Sequence, residues 1–175
     1  MGNAQPSAGI VSGGHRPAPS RGGVVSPVVL RLLPHVPHPP ARVGFYGRER
    51  DADAQALVRR GYRVVLGPTE GLEAWSDASP LDALCETGGF RDVKPAERPA
   101  WAALAALRVT PGGVLFGAFA AGPAAAAERP PWFVTPSELS ALLGVAFDVE
   151  RLEASAFADP DGTPLLEAVF RRRRS

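Results

Sequence analysis

The stretch VGFYGRERDADAQALVRRGYRVV, residues 43 to 65, limits the fold more than any other part of the chain. RVGFY (42 to 46) is a compact apolar run that reads as a strand. ADAQALVRRG (52 to 61) reads as an alanine-rich helix that starts at Asp51 or Asp53 and stops at Gly61, and YRVVL (62 to 66) reads as a second strand. Two strands joined through a helix lie parallel, which commits the chain to an α/β sheet. The turn between the first strand and the helix carries Gly47, Glu49 and Asp51 where such turns usually carry three glycines.

The same alternation continues. SPVVLRLLPHVPHPP allows one short helical turn around Val28 to Leu33 before prolines stop it. LDALC (81 to 85) reads as a further strand, PAERPAWAALAAL (95 to 107) as a helix, and GGVLFGAF (112 to 119) as a strand entered by a Pro-Gly-Gly turn. TPSELSALLG predicts a helix capped by Thr135, with Pro136 at its first position, Glu138 completing a capping box and Gly144 ending it. FDVERLE (147 to 153) and PLLEAVFRR (164 to 172) flank the turn-rich FADPDGT and read as an antiparallel pair. The fold class is therefore a doubly wound, Rossmann-like α/β sheet, mostly parallel, with an antiparallel hairpin at its C-terminal side.

Residues 1 to 25 are rich in Gly, Pro, Ser and Ala and read as a disordered tail, leaving residues 26 to 175 as a single domain. A hydrophobic content of 45% and a net charge of +1 describe a soluble globular protein and argue against general nucleic-acid binding. No acidic residue precedes Glu49 and the chain closes on Arg171 to Arg174, yet basic ends of this kind are read most simply as solvated. Cys85 is the only cysteine, which excludes an intrachain disulfide or a cysteine-cluster metal site and points to a reducing cytoplasm. The early apolar run VVSPVVLRLLPHV is interrupted by Pro27, Arg31 and Pro34 and is too short to span a bilayer. His35 and His38 sit among prolines without a third ligand and read as surface loop, so no metal is expected.

This order of elements resembles the class I S-adenosylmethionine-dependent methyltransferase fold, and several segments are similar to its thiopurine-methyltransferase-like bacterial branch. The resemblance covers residues 42 to 173. Residues 43 to 65 follow that branch's first strand and helix without a gap, matching Val43, Gly47, Asp53, Ala54, Ala56, Leu57, Gly61, Tyr62 and Val64. LDALCETGGF, PAERPAWAALAALRVTPGGVLFGAF and PPWFVTPSELSALLGVAFDVERLEAS followed by LLEAVFRRR are similar to later segments of the family in the same order. Where this chain departs from the family, the departures surround one ligand. The resemblance implies that Gly47, Glu49 and Asp51 stand at the glycines that hold the cofactor's methionine and ribose. Pro68 stands where the family places an acid that accepts hydrogen bonds from the ribose. If Glu49 pointed inward within about 4 Å of the cofactor carboxylate, repulsion would reach about 4 kcal/mol at an effective dielectric of 20.

Only residues 67 to 80 connect the second strand to the next, where the family fits helix, strand and helix. Roughly ten helical residues rise about 15 Å, enough for one crossover and not for an added strand. In the family's strand numbering the expected order is accordingly 2-1-4-5-7-6, the third strand being absent. For substrate chemistry the sequence offers Glu86 as a candidate base, with Thr87, Phe90 and Trp132 as candidate pocket-lining residues. Two functions follow. One is a methyltransferase-like protein with lost or weakened S-adenosylmethionine binding that serves as a binding or regulatory partner. The other is an active small-molecule methyltransferase with a rebuilt cofactor site, for which S-adenosylmethionine is the cofactor. The strand at 62 to 66, deprived of its neighbour, is the expected edge for homo- or hetero-oligomer contact.

Overall fold

A computed structural model of the chain describes residues 24–47, 51–67, 71–75, 79–122 and 129–174. The tail predicted to be disordered lies almost wholly outside the described residues, as do Glu49 and Pro68. The elements are α1 (Pro27–Leu32), β1 (Arg42–Gly47), α2 (Asp51–Arg59), β2 (Arg63–Leu66), β3 (Leu81–Thr87), α3 (Arg98–Arg108), β4 (Val109–Ala120), α4 (Pro136–Leu143), β5 (Phe147–Ala158) and β6 (Pro164–Arg172). No helix among the described residues is long and apolar enough to cross a membrane.

The six strands form one sheet in the order β2-β1-β3-β4-β6-β5. β2, β1, β3 and β4 run parallel, and β6 pairs antiparallel with both β4 and β5. With a third strand left out of the count this is the expected order. The sheet separates two cores. On one face α1 and α2 cover Val43, Phe45, Val64, Cys85 and Phe116, using Val28, Val29, Leu32 and Leu57. On the other, α3 and α4 cover Tyr46, Leu84, Leu115 and Phe170, using Trp101, Ala105, Leu139 and Leu143. Helix spacing of these apolar residues and strand alternation explain both cores. The helix after β1 covers one face and the helix after β3 the other, so the carboxyl ends of β1 and β3 flank the topological switch point, the usual ligand crevice of open α/β sheets.

Local chemistry places the helices. Ser26 caps α1 by accepting a hydrogen bond from the Val29 N–H, with Pro27 in the first turn. Gly61, at φ +89°, ends the α2 segment in the left-handed conformation that a side chain disfavours. Thr135 caps α4 through the Glu138 N–H. The reciprocal half of the predicted capping box does not form, because the Glu138 carboxylate instead pairs with Arg98. Arg98 is 2% exposed and also donates to the carbonyls of Trp132 and Phe133 at 3.0 and 3.1 Å, so one buried guanidinium ties α3 to α4 and the segment before it.

The fold departs from the sequence reading in three further places. Pro111-Gly112-Gly113 does not turn into a strand but lies inside β4. Leu81 pairs with Val109 while Ala83 pairs with Val114, so β4 bulges by several residues there, with Gly112 at φ +82°. β3 and β5 each run past their predicted ends, to Thr87 and Ala158. In the connection from β2 to β3 the regular structure among the described residues is a 3-10 turn at Leu72–Ala74, followed by Trp75. The Trp75 ring lies so close over the sheet that a Cβ built on Gly44 or Gly67 would meet it at 2.6 Å. A single indole thus covers this part of the β1–β2 surface.

Candidate functional site

At the switch point, β1 and β3 meet directly. Gly47 has φ +129°, and a Cβ there would stand 2.4 Å from the Thr87 carbonyl oxygen, which only glycine permits. Gly47 and Gly88 form an antiparallel bridge, and Thr87 Oγ1 donates to the Tyr46 carbonyl at 3.1 Å. Gly89 packs on the Tyr46 ring, at 2.6 Å from an added Cβ. The strand ends are therefore closed on each other by backbone contacts. Of the four positions aligned with the family's cofactor site, Gly47 forms this closure, Asp51 opens α2 and is partly exposed, and Glu49 and Pro68 lie outside the described residues.

Beside the closure, on the α1 and α2 face, lies a hollow of about 90 Å³. Ser26, Asp53, Glu86, Thr87, Arg91 and Asp159 give it its polar character. Asp53 is 2% exposed, and its Oδ1 accepts from the Ser26 N–H at 2.7 Å, so the start of α2 holds the start of α1. Burial pushes its carboxyl above the usual carboxylate range. Glu86 is 1% exposed and stands at the end of β3. Its two oxygens accept from the Gly88 N–H at 2.6 Å and the Phe90 N–H at 2.5 Å. Burial raises its pKa to about 8, and the two N–H donors, which favour the charged form, only partly offset that rise. Arg91 reaches across to the β5–β6 turn and pairs with Asp159 at 2.5 Å and Asp161 at 3.7 Å. The hollow is thus lined by more carboxyl groups than cations.

Glu86 and Thr87, named from sequence, come together at this hollow, whereas Phe90 and Trp132 do not line it. Phe90 is 1% exposed, edge-on to Trp101 and Phe119, with the Arg98 guanidinium 4.9 Å above its ring. Trp132 is buried and its backbone N–H donates to the Arg91 carbonyl. Phe90 belongs to the α3 core on the opposite face of the sheet, and the Trp132 backbone is held between Arg91 and Arg98. Cys85 is fully buried, and burial pushes its thiol far up, which makes it a core residue and not a nucleophile. The sequence does not mark Asp53, Arg91 or Asp159 as site residues. Asp53 reads locally as a helix-start residue and Asp159 as a turn residue. Nothing within either segment announces that the fold brings them to Glu86.

Comparison with solved structures bears on the fold. The chain superposes on the 1,6-didemethyltoxoflavin-N1-methyltransferase of Burkholderia thailandensis, solved with 1,6-didemethyltoxoflavin and S-adenosylhomocysteine, with a TM-score of 0.68 and 18% identity over 85% of this chain and 77% of that one. It is similar to the N-methyltransferase NodS of Bradyrhizobium japonicum in complex with S-adenosylhomocysteine, with a TM-score of 0.62 and 14% identity over 83% of this chain and 84% of that one. A TehB-like S-adenosylmethionine-dependent methyltransferase of Corynebacterium glutamicum gives 0.61 and 16% identity over 83% and 88% of the two chains. No protein-family model matches the sequence, and no curated protein matches it. The fold is that of the S-adenosylmethionine-dependent methyltransferases.

Proposed function

We propose that this is a methyltransferase-like protein of the thiopurine-methyltransferase-like branch whose S-adenosylmethionine site is lost or much weakened, and which acts as a non-catalytic binding or regulatory partner. The observation that carries the reading is the crowding at the switch point, where Gly47 and Gly88 are bridged and the Gly47 backbone lies against the Thr87 carbonyl. The adjoining hollow, at about 90 Å³, is far below the roughly 300 Å³ at which pockets begin to enclose drug-sized ligands. Glu49 and Pro68 in place of a glycine and an acid, and the short connection of residues 67 to 80, act in the same direction. The chain would meet its partner along β2, which pairs with β1 alone among the described strands. A single buried cysteine suits a reducing bacterial cytoplasm.

One observation favours the alternative of an active methyltransferase with a rebuilt site. Glu86 is a buried carboxyl with a pKa raised to about 8, and a base of that kind is suited to removing a proton from a nucleophile near neutral pH. Thermal melting with S-adenosylmethionine and S-adenosylhomocysteine separates the two readings. A ligand at a hundred times its Kd stabilises a fold by about 2.7 kcal/mol. No shift with either compound at millimolar concentration is expected here. A clear, saturable shift would overturn the non-catalytic reading.

A further inference from the structure

We propose that the hollow between α1, the start of α2 and the carboxyl ends of β3 and β4 binds the N–H-bearing head of a small organic cation, an ammonium or guanidinium group, with Asp53 as its charged acceptor. This gives the non-catalytic binding role above a ligand class, and rests on that reading in taking the hollow to be free of cofactor.

Asp53 lines the hollow at 2% exposure, and one carboxylate oxygen is held by the Ser26 N–H. Among the described residues no donor reaches the other oxygen and no cationic side chain acts on the group. A carboxyl group in that position stays neutral or takes a counter-charge, because an unpaired buried charge is costly. Among the described residues none supplies that counter-charge. Arg91, the cation at the rim, is already engaged by Asp159 and Asp161. Glu86 adds a second buried carboxyl to the same wall. An anion entering the hollow would meet carboxyl groups on two sides, whereas a cation with N–H donors would find the open Asp53 oxygen and would favour the charged form of that carboxyl. Size narrows the class further. A 150 Å³ cavity takes up benzene, so about 90 Å³ encloses about four non-hydrogen atoms, as many as a guanidinium group has. The remainder of a larger ligand would project past the Arg91–Asp159 pair.

The test uses guanidinium chloride from zero to about 10 mM on the whole protein, with sodium chloride at equal ionic strength and tetramethylammonium chloride, which has no N–H, as references. These concentrations lie far below the denaturing range. The expected result is a saturable rise in melting temperature with guanidinium alone, its midpoint roughly in the micromolar to millimolar range open to so small a ligand. In Asp53→Asn, whose amide oxygen keeps the bond to Ser26, the apparent affinity should fall by tenfold or more. Should that variant fail to fold, Ala118→Leu, which fills the hollow from β4, should abolish the shift in the same way. Absence of a saturable rise in the unmodified protein, or an equal rise in the variants, would overturn the proposal. Stabilisation by S-adenosylmethionine would overturn the loss of the cofactor site and leave the guanidinium result to stand on its own.

Discussion

Glu86 ends β3 with both oxygens tied to backbone N–H donors and almost no contact with solvent. Its ordinary value near 4.5 is raised to about 8 in the folded chain, so the folded state binds this proton more tightly than the unfolded one. The stabilising contribution of the protonated group is complete below about pH 4.5 and is lost as pH rises through about 8. Asp53, also raised by burial, acts in the same direction. Urea unfolding at a series of pH values should therefore show stability falling between pH 5 and 8, by about 3–4 kcal/mol from Glu86. Glu86→Gln should flatten that slope. It should also cost about 1–3 kcal/mol at the acid end, since an amide leaves one of the two N–H donors without an acceptor. A slope unchanged by the substitution would mean that other groups carry the pH dependence. That Glu86 sits at a strand end is legible from its place after LDALC. Its two N–H donors depend on how Gly88 and Gly89 turn the chain back.

At the scale of elements, Trp75 compensates for the short connection between β2 and β3. Its ring occupies the sheet surface over Gly44 and Gly67, and its carbonyl accepts from Arg108 of α3 at 2.5 Å. Trp75→Ala should cost about 3–5 kcal/mol, measured by chemical denaturation. Gly44→Ala puts a methyl 2.5 Å from Leu81 Cδ1 and 2.6 Å from the Trp75 ring, and should cost about 1–3 kcal/mol. Because the two changes share a space, their effects should not add. The penalty of Gly44→Ala should shrink in the Trp75→Ala background, and strict additivity would show that the ring does not govern the site. The helices were legible because caps and breakers are local signals. Thr135 and Gly61 fall where they were read. The Pro-Gly-Gly segment reads as a turn and forms a bulge, because a bulge and a turn use the same residues and which one forms depends on pairing with β3.

For the whole molecule, the open question is what meets β2. Arg63 donates to the Ala41 carbonyl and Gly67 to the Phe45 carbonyl, so by alternation the N–H groups of Val64 and Leu66 point away from β1. A partner strand would use those donors. If β2 joins two copies, size-exclusion with light scattering should return a mass above the 18.3 kDa of one chain. If it joins a different protein, affinity for that protein carries the reading. In either case Leu66→Pro should abolish the contact, since it removes an outward donor and leaves the bonds to β1, while lowering stability by no more than about 3 kcal/mol. An assembly indifferent to this substitution would place the interface elsewhere.

By itself the sequence determined the alternation of strands and helices, and, with the resemblance, the sheet order with its missing strand. The alternation follows from periodicity and the missing strand from connection length, which are properties of neighbouring residues, while the order of the remaining strands is what the family resemblance implies. Only the tertiary structure decided the rest. It closed Gly47 on Gly88, set Phe90 into the α3 core and buried Trp132 beside Arg98, and brought Ser26, Asp53, Glu86, Arg91 and Asp159 to one hollow. Asp159 is far from the others in sequence and reaches them only because β6 turns back antiparallel beside β4 and carries the hairpin loop to the strand ends. Contacts of that kind have no local signature, since the energy that selects them comes from burying the whole sheet at once.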